Sequence, residues 1–471
     1  MRQGGLPPAF FRGIEMDFES LIDEIPNYQR FFKVDELDQR TDELAKKYPK
    51  TVEVQIGGYS RQGHPIKVIK IGHGSRNALL FGCPHPNEPI GAMMLDFLAE
   101  KLASDERFRS QFDYTWYLIK VIDPDGTKLN EGWFSNPESI RTYAEHFYRP
   151  PGYLQVEWTF PVDYKTLHFH NPLPETKVLM NTIDETKPSF MYSLHNAGFG
   201  GVYYYISEEA SSLYETYQRI PTLFNVPLSL GEPEVPYAKT LSKAVYKLFP
   251  ISEEYDYLEK HASVDPAKII KSGASSDEYA SRVANTFSLV CEVPYYYDPR
   301  IEDTSESDMS RRQARMIAWE KAKEHYEQMK GPFEHCASFE EAKEFAFYET
   351  LKNYIETMPA HLEAERHWIE TDPTLERKAT VAEVFDNLYV TQFYQSLSLG
   401  MLRRLMNGVL KIRNDERLSR LKHDVDEAFE KKMDYLYKNL NYRAIPIKDL
   451  VAIQLLAGLY TANHLQSQGG S

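Results

Sequence analysis

Two hydrophobic patterns divide the chain. Up to about residue 304, short apolar and β-branched runs alternate with amphipathic stretches and Pro- or Gly-containing turns. The runs are VEVQIGG, IKVIKIG, ALLFGC, YTWYLIKVID, FMYSLHNA and FSLVCEV, and runs of this kind read as strands. Several are apolar at consecutive positions, so both faces should be covered, the pattern of a mostly parallel or mixed sheet between helices. Beyond residue 305 the sequence is rich in Glu, Lys, Ala and Leu at helical spacing: Val381, Val384, Phe385 and Leu388 fall at i, i+3, i+4 and i+7. Breaks at Gly331-Pro332, Asp372-Pro373, Asn414-Asp415 and Pro446 suggest five or six helices. The expected architecture is an α/β domain over 16–304, with a mixed, mostly parallel sheet flanked by helices. An all-α domain over 305–471 follows, serving as an interface or a lid. Residues 1–15 read as a leader, with Met16 a natural start.

Composition narrows the class. A chain of 471 residues exceeds one typical core, and 42% hydrophobic residues suffice for two. A net charge of −15 argues against nucleic acid and anionic membrane surfaces, both of which need clustered Lys and Arg. The most apolar late stretch, LVAIQLLAGLYTANHL, is shorter than the ~20 residues of a membrane span and reads as a buried or interface helix. Three cysteines, Cys83, Cys291 and Cys336, show no paired spacing, which suits a reducing compartment. No apolar signal segment is visible, and the expected location is the cytoplasm.

The candidate chemistry starts in FGCPHPNEPIGAMMLDFLAE, where His85 and Glu88 lie in a turn between an apolar run and a helix. Imidazole and carboxylate at i, i+3 can face one point and suit Zn²⁺; the competing reading is a surface ion pair. A strand's C-terminal edge is where open α/β sheets place ligands. A third ligand is available in His195, between the run MYSL and a Gly-rich turn, with a hydrogen-bonded core histidine as the alternative. Metal-assisted hydrolysis also needs a carboxylate outside the ligand set. Glu292, near the end of FSLVCEV, is such a group unless it faces solvent on an edge strand. His168 and His170, and the set His361, Glu365 and His367, read as surface residues.

Taken in order, these segments resemble the M14 family of zinc carboxypeptidases over roughly residues 30 to 300. The likeness runs through GGYSRQGHPIKVIKIG, HPNE, VIDPDGTKLN, SLHNAG, SGASSDEY and FSLVCEV. It implies one Zn²⁺ per chain held by His85, Glu88 and His195, with Glu292 as general acid/base. It implies that Glu157 supports the first zinc histidine, His85, and that an Arg polarises the scissile carbonyl, Arg149 in preference to Arg141. Asp277 matches a residue near the family's side-chain pocket.

The sequence also departs from the family. The Asn-Arg pair that holds a substrate carboxylate is missing from Glu157-Trp158-Thr159-Phe160-Pro161, and Ile269 stands where a mobile Tyr is expected. Arg282 is a candidate substitute anchor, with a solvated helix Arg as its alternative. Tyr203 and Tyr295 follow His195 and Glu292 and are candidates to line the pocket. The expected function is zinc-dependent hydrolysis of a peptide or amide bond, with Glu292 taking the proton of the attacking water and substrate recognition altered. The alternatives are a true carboxypeptidase with a relocated carboxylate anchor and a non-catalytic binding protein. The expected partner is a peptide or amide-containing small molecule, with a homo-oligomer formed through the helical part.

Overall fold

The computed structural model describes residues 18–468; the expected leader lies outside them. Its centre is a nine-stranded mixed sheet. In chain order the strands are β1 (Val52–Tyr59), β2 (Pro65–Ile71), β3 (Arg76–Gly82) and β4 (Tyr114–Ile119). A separate hairpin, β5 (Val162–Tyr164) and β6 (Leu167–Phe169), follows. The sheet resumes with β7 (Phe190–His195), β8 (Tyr203–Ile206), β9 (Thr240–Ser242), β10 (Val245–Lys247) and β11 (Phe287–Glu292). The spatial order is β1-β2-β4-β3-β7-β11-β8-β10-β9, in which β4, β3, β7 and β11 are mutually parallel.

These four strands are buried on both faces because each side chain has a helix layer to meet. Alternate residues point to opposite sides. Leu80, Tyr192, Leu194, Leu289 and Cys291 face a large core shared with the Ile90–Ser104 and Ile447–Gln468 helices. Leu79, Phe81 and Met191 face a second core built on the Pro174–Thr186 and Ile251–His261 helices. The edge strand β1 is covered less completely and leaves Ile56 and Tyr59 more than half exposed.

The helical part comprises Arg311–Ala337, Phe347–Thr371, Thr391–Ile412, Glu416–Asn439 and Ile447–Gln468, with the short Val381–Phe385 helix leading through a π-turn, Asp386–Val390, into Thr391–Ile412. The expected break at Gly331-Pro332 does not occur: both residues lie inside a 27-residue helix. Proline removes one backbone bond there, but buried Met329, Phe333 and Cys336 hold the helix down on either side. The breaks after Thr371, after Ile412 and at Pro446 are present. No helix among the described residues is long and apolar enough to cross a membrane. The apolar Ile447–Gln468 helix lies on the sheet instead: Tyr192 donates its hydroxyl proton to Gln454 O at 3.1 Å, and Gln454 Nε2 donates to His195 O at 2.8 Å.

The two parts share one continuous hydrophobic core from Phe18 to Ala462. They approach closely at Gly400, where a Cβ would lie 1.9 Å from Ala144 O. Gly400→Ala gains about 1 kcal/mol of helix propensity but forces the Thr391–Ile412 helix off the Ile140–His146 helix, an overpacking cost of about 3 kcal/mol. Chemical denaturation should show a lower midpoint. An unchanged or raised midpoint would mean that this contact is slack.

Candidate metal centre and active-site cavity

Parallel pairing positions the candidate residues. Gly82 at the end of β3 is level with Leu194 on β7, and His195 is level with Glu292 on β11. Three adjacent strands therefore end together, and the turn after β3 delivers His85 and Glu88 to the same edge. That turn is strained: Cys83, a buried non-glycine residue, has φ 52°. The following helix approaches closely because Gly91 has no side chain; a Cβ there would lie 2.4 Å from Leu194 Cβ. Asn196 secures the turn, accepting from Ile90 N–H at 3.2 Å and donating its own N–H to Glu88 Oε2 at 3.2 Å.

His85, Glu88 and His195 each offer a ligand atom within 4.8 Å of the others, and all three are buried. His85 Nδ1 lies 3.1 Å from Glu88 Oε1, His195 Nδ1 lies 3.1 Å from Glu88 Oε2, and the two Nδ1 atoms are 3.2 Å apart. His195 Nε2 is 2.8 Å from Ser193 Oγ, which donates to Glu157 Oε2 at 3.2 Å. This chain assigns the ring proton to Nε2 and leaves the Nδ1 lone pair directed at the cluster, as a metal ligand requires. Two imidazoles and one carboxylate converging on a buried point fit Zn²⁺ with an open position.

The electrostatics follow from burial and neighbours. Burial, then the Arg149 guanidinium, push His85 down to about 3. Burial opposes the charged form of His195, but the hydrogen bond and charge of Glu88 outweigh it and lift the imidazole to about 9. Burial likewise opposes ionisation of Glu88, yet His85 and His195 hold it below the usual carboxylate range. Burial raises Glu292 well above that range, with Glu88 and Glu234 adding to the effect against His195.

The cluster opens into a cavity of about 280 Å³ whose walls include Arg149, Glu157, Trp158, Asp277, Glu292 and Tyr394. Glu292 Oε1 is 3.8 Å from His195 Nδ1, and Glu292 sits between two strands of the sheet, not on an edge. Arg149 donates to Glu88 Oε1 at 3.2 Å, and its NH2 lies 2.9 Å from His85 Nδ1. Asp277 is in the wall and accepts from Ser275 Oγ at 2.6 Å; burial pushes it up to about 7.

Other expected site residues lie elsewhere. Arg141 is on the far side of its segment, paired with Glu430 at 2.9 Å, because its short helix turns that side chain toward the helical part. Arg282 bonds Glu278 O and Pro161 O at the surface, so it is not an anchor inside the cavity. Glu157 supports His195 through Ser193, not His85, because it enters from the β7 side and is clamped by Ser276 Oγ at 2.6 Å. Tyr295 is buried behind the ligand turn, donating to Asn87 O at 2.8 Å, so it braces the turn and does not line the cavity. Tyr203 lines a neighbouring cavity. His168 and His170 both pair with exposed Asp163.

Sequence reasoning missed Ser193, Glu234 and Tyr394. Ser193 is legible in retrospect as the polar residue two before His195 on the same strand face. Tyr394 comes from the helical part and carries no local signal. Its hydroxyl accepts from Gly198 N–H at 3.1 Å, three residues past His195.

A mixed sheet thus carries two imidazoles and a carboxylate at adjacent strand ends, with a separate carboxylate beside them, the arrangement of a candidate three-ligand metal centre. A family model described as zinc carboxypeptidase, Peptidase M14, matches residues 37–300, more than half of the chain. The chain belongs to this family. It is 28% identical over 108 residues to carboxypeptidase B of Helicoverpa zea; the match covers 21% of this chain and a quarter of that relative's length. Among solved structures it is similar to carboxypeptidase A from Helicoverpa armigera, at 18% identity and a TM-score of 0.38, covering 59% of this chain and 71% of that one. It is also similar to the murein-tripeptide amidase from Escherichia coli O157, at 14% identity and a TM-score of 0.28, covering 52% and 84%. Likenesses this distant assign no substrate.

The donor set makes a direct prediction. The purified protein should take up about one zinc per chain, and His85→Ala should abolish uptake, as read by elemental analysis. Ser193→Ala should weaken zinc affinity about tenfold, as read by competition with a chelator. Full zinc retention by His85→Ala would remove this residue from the ligand set.

Proposed function

We propose that the protein is a zinc-dependent hydrolase of an amide or peptide bond that does not rely on a clamp for a substrate's terminal carboxylate. The observation that carries this is the charge of the cavity. Among the described residues, Arg149 is the only Arg or Lys in its walls, and it is already bonded to Glu88. The walls also hold Glu88, Glu157, Glu234, Asp277 and Glu292. A free carboxylate entering here meets mostly acids, without the pre-formed guanidinium fork that bidentate recognition needs.

Zinc at the three-ligand centre would act as a Lewis acid toward the scissile carbonyl and the attacking water. Glu292 takes the water's proton and delivers it to the leaving amine. Arg149, anchored through Nε to Gln155 Oε1 at 3.3 Å, donates to the oxygen that gains charge. Glu157 and Ser193 hold the tautomer and ring orientation of His195. Tyr394 accepts from Gly198, and its own hydroxyl proton remains available for donation into the cavity.

Glu292→Gln keeps the shape of the site but removes the base. It should lower kcat about 10³-fold while zinc content stays at the wild-type level; undiminished turnover would end this role for Glu292. A specific observation keeps a true carboxypeptidase in view: Arg149 is itself a guanidinium in the cavity. Rates on a peptide and on its C-terminal amide separate the two readings. Comparable rates support the hydrolase without a clamp. A strong preference for the free acid, lost in Arg149→Gln through a raised KM, would identify Arg149 as a relocated anchor.

A further inference from the structure

A second cavity of about 340 Å³ adjoins the first, and the two share Ala197, Glu234 and Tyr394 in their walls. Glu234 therefore stands at the junction. It is exposed, in the segment Pro233-Glu234-Val235-Pro236, where two prolines restrict the backbone on either side. Tyr203 and Tyr205, two apart on β8 and so on one face of the sheet, both donate to it: Tyr203 to Oε1 at 2.5 Å and Tyr205 to Oε2 at 3.2 Å. Tyr205 lines the first cavity and Tyr203 the second.

The acids around this junction differ in how they are compensated. Glu232 is paired with Arg311 at 2.5 Å and lies 3.7 Å from Arg315. Glu88 has Arg149. Glu234 forms no ion pair among the described residues, where it accepts hydrogen bonds from the two phenols. Each carboxylate oxygen keeps a lone pair after accepting one phenol proton. The surrounding surface is aromatic: the Tyr205 and Tyr246 rings are 5.4 Å apart, and those of Tyr203 and Tyr246 are 6.3 Å apart. A carboxylate held by two phenols, with no cationic partner among the described residues, is chemistry that selects a cation through charge-assisted hydrogen bonds.

Resting on the hydrolase reading above, we propose that Glu234, with Tyr203 and Tyr205, is a subsite for a primary ammonium group of the substrate, placed away from the bond that is cut. The substrate class is then an amide that carries an amine. The amine reaches the junction as a free amino terminus or at the end of a side chain, and both present the same –NH₃⁺.

Hydroxamates test this because the hydroxamate group binds zinc and leaves the rest of the molecule to probe the cavity. Two matched pairs are titrated into zinc-loaded protein by calorimetry: 6-aminohexanohydroxamate against hexanohydroxamate for a chain-end amine, and glycylglycine hydroxamate against its N-acetyl form for an amino terminus. The expected result is a preference of about tenfold or more for the amine in at least one pair, which also identifies the source. Glu234→Gln should erase that preference while leaving the uncharged member's affinity unchanged, which shows that the site is still folded. Tyr203→Phe and Tyr205→Phe should each reduce the preference in part. Uncharged hydroxamates that bind with no amine preference in either pair would overturn the subsite and leave the hydrolase reading standing. Failure of every hydroxamate to bind would overturn both.

Discussion

The site depends on one register. β3, β7 and β11 lie side by side, run parallel and stop together, so a turn after Gly82, the last residue of β7 and the last residue of β11 meet at one edge. Parallel pairing requires helical crossovers, which cover both faces of these strands with apolar side chains. The burial that stabilises the strands is the same burial that surrounds His85, Glu88, His195 and Glu292. Slipping β11 by one residue would turn Glu292 to the opposite face and Cys291 toward the ligands.

Burying that much polar chemistry carries a cost, and the structure meets it with a network, not with isolated pairs. Glu88 accepts from Asn196, lies against both imidazoles and is bonded by Arg149. Glu157 is held by two serines on different segments, Ser193 and Ser276. Removing one member leaves a buried charge or donor without its partner, which is costlier than losing the contact itself.

The helical part supports the same edge. Gln454 caps the His195 carbonyl, Thr350 Oγ1 donates to Arg149 O at 3.1 Å, and Arg404 holds the carbonyls of His146 and Phe147 just before Arg149. Tyr394 then reaches the cavity from the Thr391–Ile412 helix, shortly after a π-turn of the kind that often re-aims a functional side chain. Described residues outside the family match thus shape the site, while the three candidate ligands lie inside it.

Local pattern alone determined a good deal. The six apolar runs are strands, the four inner ones buried on both faces because doubly apolar segments need two covers, and the late helices follow from 3.6-residue spacing. His195 and Glu292 were legible because each ends an apolar run, where a polar group is costly unless it has work to do, and His85 and Glu88 because they share the turn that follows one. What the tertiary structure decided is which distant groups meet. Arg149 faces the ligands while Arg141 turns to Glu430; Glu157 reaches His195 and not His85; Tyr295 braces while Tyr203 serves a different cavity. Tyr394 and Glu234 join the walls from segments with no motif at all. Such meetings depend on the packing angles of whole elements and on the direction of single side chains, and neither is encoded within a window of neighbouring residues.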